Sequence, residues 1–112
     1  MALTNTAPNA TDTQLSNITQ ISGTNGYTTG GTQATQVSSA QTSGTYKLVL
    51  NDVTFLASGG NMGTFRYAVL YNDTATNDEL IGYWDYGASV SLTNGNSFVV
   101  DFDGSTGVLT IA

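Results

Sequence analysis

The sequence predicts an all-β fold: a two-sheet antiparallel β-sandwich, of jelly-roll or immunoglobulin-like connectivity, with an extended N-terminal arm. Three observations support this prediction. Apolar and polar residues alternate through most of residues 45–111, no segment carries a sustained helical period, and turn residues separate the alternating segments. Short strands divided by such turns are typical of sandwiches, and a small closed barrel is the second choice.

Residues 1–45 form the less regular half of the chain. Asp12 is their one charged residue, and threonine, whose branched β-carbon favours extended structure, occurs 12 times among them. We therefore expect an extended arm over residues 1–20, followed by a sandwich domain over residues 21–112. Short strands are expected around residues 15–21 and 33–38, and a flexible tail over residues 1–14 is the alternative.

Two strand pairs are predicted in the middle of the chain. The alternation over residues 46–56 changes phase at Asn51-Asp52, which indicates a bulge or a break into two strands. Residues 64–71 and 80–86 alternate on either side of a polar connector, which predicts an antiparallel hairpin. These two runs are rich in aromatic residues, and much of that density is expected to be core.

The remaining strands follow recognisable turns. Residues 89–92 and 98–102 flank an Asn94-Gly95 pair, which suits a tight turn that needs positive φ. A second turn over residues 103–107 leads into a last strand over residues 108–111.

The charge balance restricts the partners. Lys47 and Arg66 are the only basic residues against eight carboxylates, and the net charge is −6. Binding to nucleic acid, which depends on basic contacts to phosphate, is not expected, and neither is binding to an anionic membrane. No apolar run approaches the roughly 18 residues of a membrane span. The first residues lack the pattern of a signal peptide, so none is expected.

Catalytic chemistry has few candidates. The chain has no histidine and no cysteine, which excludes Ser-His-Asp and Cys-His catalysis and imidazole or thiolate metal sites. Asp85 and Asp101, both predicted in strands, are the only acid pair considered for a glycosidase. Residues 101–105 resemble the start of a calcium loop, but Ala112 stands where the closing acidic ligand belongs. We expect no enzyme activity, cofactor or metal.

The glycine-rich residues 23–31 resemble a phosphate-binding loop only superficially. No lysine precedes Lys47, and the segment lacks a strand-to-helix setting. Glycine here is expected to permit sharp bends where the arm joins the sandwich.

Three segments resemble small structural proteins of tailed bacteriophages. They are SGTNGY at 22–27 followed by Gly30-Gly31, RYAVLYNDTA at 66–75, and LIGYWDYG at 80–87. The resemblance covers about residues 20–112, and its closest functional association is with head-decoration (cement) proteins. It implies a sandwich without catalytic residues that binds the major capsid protein on the outer surface of the virion. Such a protein is made in the host cytoplasm.

We therefore expect a capsid decoration protein that self-associates, as a trimer, and stabilises the head through protein–protein contacts. Its low-charge arm would reach a neighbouring subunit by strand addition. A tail or fibre module that recognises a host glycan through tyrosine and tryptophan side chains is the alternative. The candidate interface residues are Leu3, Leu15, Ile18, Tyr27, Arg66, Tyr83, Trp84 and Asp85.

Overall fold

A computed structural model describes residues 1–111 of the chain. The described residues form eight β-strands and one short 3-10 helix, and no α-helix occurs among them. The predicted all-β class is confirmed. The strands are β1 (Ala2–Thr4), β2 (Gln36–Thr42), β3 (Thr45–Leu50), β4 (Val53–Leu56), β5 (Phe65–Tyr71), β6 (Leu80–Val90), β7 (Ser97–Val100) and β8 (Leu109–Ile111), and the 3-10 helix spans Leu15–Asn17.

The strands make three antiparallel sheets. Their strand orders are β1-β5-β6, β2-β3-β8 and β4-β7. The predicted hairpin of β5 and β6 is present, with Val69 opposite Tyr83 and Tyr67 opposite Asp85. The predicted break at Asn51-Asp52 is also present, because β3 and β4 pair in different sheets. The two-sheet sandwich and the N-terminal arm are not confirmed.

The chain divides into two compact units. The first contains Met1–Thr32 and Phe55–Phe98, and the second contains Gln33–Thr54 and Val99–Ala112. In this division, residues 1–20, predicted as a separate arm, belong to the first unit.

The core of the first unit surrounds β1 and β5. Leu3, Phe55, Phe65 and Val69 are each at most 1% exposed. Burial of one such side chain stabilises a fold by about 1.5–3 kcal/mol, so this cluster is the main source of stability in the first unit. The ring of Phe65 also meets Phe98 edge to face, with 5.1 Å between centroids.

The beginning of the chain is part of this core instead of an arm. Ala2–Thr4 form β1, which pairs with β5 so that Leu3 lies opposite Ala68. Thr4 is fully buried, and its hydroxyl donates to the Thr19 carbonyl at 2.5 Å. β1 is therefore buried on both faces, and its polar side chain has a hydrogen-bond partner. The strand is held within its own chain. Three residues are too few for alternation to reveal it in the sequence.

The second unit is built around β3. Ser43 and Gly44 connect β2 to β3 with φ values of 51° and 85°, the positive pair that a two-residue type I′ hairpin requires. On the other side, β8 pairs with β3, placing Leu48 opposite Leu109. The Lys47 ammonium donates to the Ser105 carbonyl at 2.8 Å and thereby holds the turn before β8.

Three predicted strands differ in the structure. Residues 15–17 form a 3-10 helix instead of a strand, and the segment predicted around 33–38 is β2, which begins at Gln36 and runs to Thr42. Residues 89–92 are not a separate strand, since β6 continues through Gly87 to Val90. The Asn94-Gly95 turn forms, with the Asn96 amide donating to Thr93, but it joins β6 to a strand that pairs elsewhere.

Candidate interaction surface

An ion pair between neighbouring strands marks the exposed face of β6. The register of β5 and β6 shifts between Phe65 and Tyr67, which is where Arg66 of β5 and Asp85 of β6 lie. The Arg66 guanidinium donates from Nε to Oδ1 at 2.7 Å and from Nη2 to Oδ2 at 3.0 Å. This pairing, together with the Gly87 amide, lowers the pKa of Asp85, so its carboxylate remains ionised and its charge is cancelled locally.

Aromatic rings surround this ion pair. The Arg66 guanidinium carbon lies 5.4 Å from the centre of the Tyr67 ring, a cation–π distance. Tyr67 in turn meets Tyr83 of β6 at 6.0 Å and 68°, an edge-to-face arrangement. Tyr83 nevertheless remains 50% exposed. The group therefore presents a neutral, aromatic surface to solvent.

Further along β6, Tyr86 packs on Phe98 with 5.4 Å between ring centroids and is still 63% exposed. Ile81 and Trp84 are 44% and 39% exposed. We call the group the β6 surface. It consists of Arg66, Ile81, Tyr83, Trp84, Asp85 and Tyr86.

Four of the predicted interface residues belong to the β6 surface. Arg66, Asp85 and Tyr83 are connected through their ion pair and through Tyr67. Trp84 alternates with Tyr83 and Asp85 along the strand and therefore lies on the other face of β6. The structure places the four others elsewhere. Leu3, Ile18 and Tyr27 are buried within the first unit, and Leu15 is half-buried in the 3-10 helix. These four lie apart from the exposed surface because the N-terminal residues form part of the chain's own core.

Sequence reasoning missed two members of the β6 surface, Ile81 and Tyr86. Both belong to the alternating run that identified Tyr83 and Trp84, so the signal was present, but much of the aromatic density of that run was expected to be core. A second exposed apolar group was also missed. It lies on the sheet of the second unit and contains Val37, Leu109 and Ile111, which are 39–59% exposed.

Asp85 of the predicted acid pair does not have the features of a general acid. Arg66 keeps Asp85 ionised, and an ionised carboxylate has no proton to donate as a general acid. Asp101 follows the end of β7 and is exposed, so its predicted position in a strand is wrong. Among the described residues, no three His, Cys, Asp or Glu side chains group closely enough to hold a metal ion.

The other two motifs have local structural explanations. The Asp103 carboxylate accepts hydrogen bonds from the amides of Thr106 and Ser105, which lowers its pKa and closes a turn. In the glycine-rich segment, a Cβ at Gly26 would stand 2.0 Å from the Leu56 carbonyl oxygen, and one at Gly31 would stand 1.7 Å from that of Met1. These glycines permit close backbone approach.

Comparison of the chain with protein-family models, curated proteins and solved structures gives no match. In residues 1–111, no helix has the length and apolar character needed to cross a membrane. The chain's own surface is therefore the source of evidence for its function.

Proposed function

We propose that this chain is a structural protein of a tailed-phage particle. In this proposal it binds the major capsid protein on the outer surface of the shell and stabilises the head through protein–protein contacts. The main supporting observation is the combination of large exposed apolar side chains with a neutralised charge pair on the β6 surface. Aromatic residues and arginine are enriched at the centres of protein interfaces, where unpaired charge is disfavoured.

The second unit supplies a further contact surface for this proposal. Val37, Leu109 and Ile111 project from one three-stranded sheet, and each remains substantially exposed. An arm that reaches a neighbouring subunit is not part of the proposal, because β1 is paired inside the chain. Docking would instead use preformed sheet surfaces, which require little ordering on binding.

The test compares phage heads that carry the protein with heads from which it has been deleted. We expect the protein in many copies per purified particle, and we expect heads without it to rupture at a lower temperature. Adding purified protein back should restore the rupture temperature. Absence of the protein from purified particles would contradict the proposal, and equal rupture temperatures would remove the stabilising role.

Recognition of a host glycan by a tail or fibre module is a second candidate. Exposed Tyr83 and Tyr86 lie on the same strand as the Asp85 carboxylate, and aromatic rings beside a hydrogen-bond acceptor suit the stacking of sugars. Titration of sugars against the fluorescence of the single tryptophan, Trp84, tests this candidate. A saturable change that is lost in Tyr83→Ala would support it, and a copy number of only a few per particle would favour it over the capsid role.

A further inference from the structure

We propose that two copies of this chain pair through the outer edge of β6, in antiparallel orientation about a two-fold axis at Trp84. The two β1-β5-β6 sheets then continue into each other as one six-stranded sheet. The pairing goes beyond the proposed function, which names the capsid as the partner. It gives a surface for the self-association expected from the sequence and is independent of binding to the capsid.

The first argument is that β6 lies at an edge. Among the described residues, the strand order gives β6 one neighbouring strand, β5. The segment before the 3-10 helix covers only the start of its outer side, where the Leu80 amide donates to Thr13 and Glu79 bridges to Gln14. Beyond this cover, residues 82–85 pair regularly with β5, and register shifts at Ile81 and over residues 86–89 mark the two ends of this regular segment. Exposed edge segments promote pairing with another strand, and the proposed pairing uses this regular part of β6.

The second argument concerns which backbone groups face outward. The Leu3 amide donates to the Tyr27 hydroxyl, so the backbone N–H of Leu3 points away from Ala68, the residue opposite it on β5. Hydrogen-bonded and non-hydrogen-bonded pairs alternate along antiparallel strands, so Ala68 directs its N–H and C=O groups toward β6. Its partner on β6, Trp84, directs its own N–H and C=O groups toward β5. The residues on either side, Tyr83 and Asp85, consequently present their N–H and C=O groups to the outer side of β6.

The third argument selects the register. With Trp84 opposite Trp84 of the second copy, Tyr83 and Asp85 form the hydrogen-bonded pairs across the axis. Tyr86 of the second copy, whose ring stays packed on Phe98, then approaches Gly82, where a Cβ would meet no atom within 4 Å. The alternative symmetric register, centred on Tyr83, places the Asp85 carboxylate opposite Ile81.

Charge at the contact itself does not oppose a second copy along this edge. Each chain has a net charge of −6, but the charged side chains of the β6 surface are Arg66 and Asp85, which cancel each other within one chain. Two copies therefore meet there without burying an unpaired charge. In the second unit, the edge strand β2 is also exposed, but its sequence QVSSAQT offers Val37 as its only large apolar side chain.

The pairing is two-fold, so it yields a dimer in place of the expected trimer. Sedimentation of the full chain should show the mass rising from 11.6 kDa toward twice that value as concentration increases from about 1 to about 200 µM. Tyr86→Lys should keep the chain at the monomer mass, because it puts a charge against Gly82 of the second copy. Val37→Lys, the same kind of change at an equally exposed site on β2, should leave the dimer unchanged.

Cross-linking tests the register, because the chain has no cysteine of its own. In the proposed register, oxidation of Trp84→Cys with copper phenanthroline should give a covalent dimer, since directly opposite Cβ atoms lie about 4.5–5.5 Å apart. Tyr83→Cys should remain monomeric, because its copies are offset by two residues and their Cα atoms exceed the roughly 7 Å limit. The reverse pattern would overturn the register proposed here.

Monomeric mass at the highest concentration, with cross-linking in neither variant, would overturn the dimer. Circular dichroism of each variant establishes that it is folded before it is scored, and Tyr86→Lys reports on the edge independently of the cysteine variants. A chain that stays monomeric but binds phage heads would remove the dimer and retain the proposed function. A chain that dimerises but fails to bind phage heads would retain the dimer and remove the proposed function.

Discussion

At the residue scale, the Tyr27 hydroxyl holds the beginning of the chain in place. It accepts a hydrogen bond from the Leu3 amide at 3.1 Å and donates to the Gln20 side-chain oxygen at 2.6 Å. The same Gln20 oxygen accepts from the Gly30 amide, and the Gly30 carbonyl accepts from the Tyr71 hydroxyl. One partly buried chain of hydrogen bonds thus connects β1 to β5 through two intervening loops. Each group in such a chain depends on its neighbours for satisfaction.

Tyr27→Phe should therefore destabilise the chain. The ring can stay in the core, where Tyr27 is 2% exposed, but the Leu3 amide and the Gln20 oxygen each lose a partner. A buried group left unsatisfied costs about 1–3 kcal/mol of unfolding free energy, so we expect a loss in that range by urea denaturation. Tyr86→Phe is the matched control, since it removes a hydroxyl from a largely exposed ring and should change stability by less than about 0.5 kcal/mol. Equal effects of the two variants would contradict this role.

The same residue predicts an alkaline dependence of stability. Burial raises the pKa of Tyr27 above its ordinary value of 10.0, and Tyr71 shifts in the same direction. Above pH 10 the unfolded chain releases these protons before the folded chain does, so the unfolded state binds fewer protons and unfolding becomes easier as pH rises. The stabilising contribution is complete below pH 10 and is lost as pH rises through the folded-state values.

Unfolding free energies measured from pH 8 to pH 11 check this expectation. The unsubstituted chain should lose stability above about pH 10, and Tyr27→Phe should show a shallower slope there because one of the two shifted groups is gone. Identical slopes would show that Tyr27 ionises as it does in the unfolded chain.

At the scale of the elements, the loop that contains Gly26 fits against the end of β4. Gly26 has φ of +98°, and the Ser58 amide donates to the carbonyl of its neighbour Asn25 at 3.1 Å. Two backbone segments therefore approach each other where Gly26 meets Leu56, with no room for a side chain. The glycine is required both by its conformation and by this approach.

Gly26→Ala and Gly59→Ala separate these two requirements. Both glycines belong to the first unit and have positive φ, but a Cβ at Gly59 would meet no atom within 4 Å. Gly59→Ala should cost only the conformational penalty, about 1–2 kcal/mol. Gly26→Ala should cost at least about 2 kcal/mol more, because the backbone of Leu56 must move. Equal losses in thermal or urea unfolding would argue that the close approach is not restrictive.

The sequence predicted well those elements that have a local signal. Alternation located β3, β5 and most of β6, and the phase change at Asn51-Asp52 correctly marked the end of one strand. Local signals failed for β1, whose three residues are too short to alternate, and for the partners of β7 and β8. Those pairings depend on contacts between distant segments, and the turns preceding the two strands favour hairpins that do not form.

The candidate surface was predicted in part for the same reason. Tyr83, Trp84 and Asp85 could be identified from their run, but alternation alone cannot show that β6 is an edge strand. Conversely, the sequence predicted Leu3 in a polar arm and Tyr27 as an interface residue of the following domain. Their role became visible only when β1 was paired with β5 and the Tyr27 hydroxyl was placed against the Leu3 amide.

At the scale of the whole molecule, charge opposes any association of identical copies. The chain carries −6 at pH 7, and apart from Arg66 and Asp85 its carboxylates have only Lys47 to balance them. The proposed contact along β6 is neutral, so the two copies attract each other there through apolar contacts and main-chain hydrogen bonds. The repulsion between their negative charges comes from the rest of the two surfaces and acts over longer distances. Dissolved salt screens that longer-range repulsion and leaves the short-range contact largely unaffected.

The dimer should consequently become tighter as ionic strength rises. Screening lengths fall from about 30 Å at 0.01 M salt to about 8 Å at 0.15 M, so most of the effect is expected across that interval, as a several-fold decrease in the dissociation constant. Sedimentation equilibrium of the full chain in sodium chloride measures it, with Tyr86→Lys as the variant that should stay monomeric throughout. A contact held by ion pairs between chains, for example Arg66 of one copy with Asp85 of the other, would weaken with salt. A dissociation constant that rises over this interval would therefore contradict a neutral β6 contact and favour exchange of the Arg66–Asp85 pair between copies.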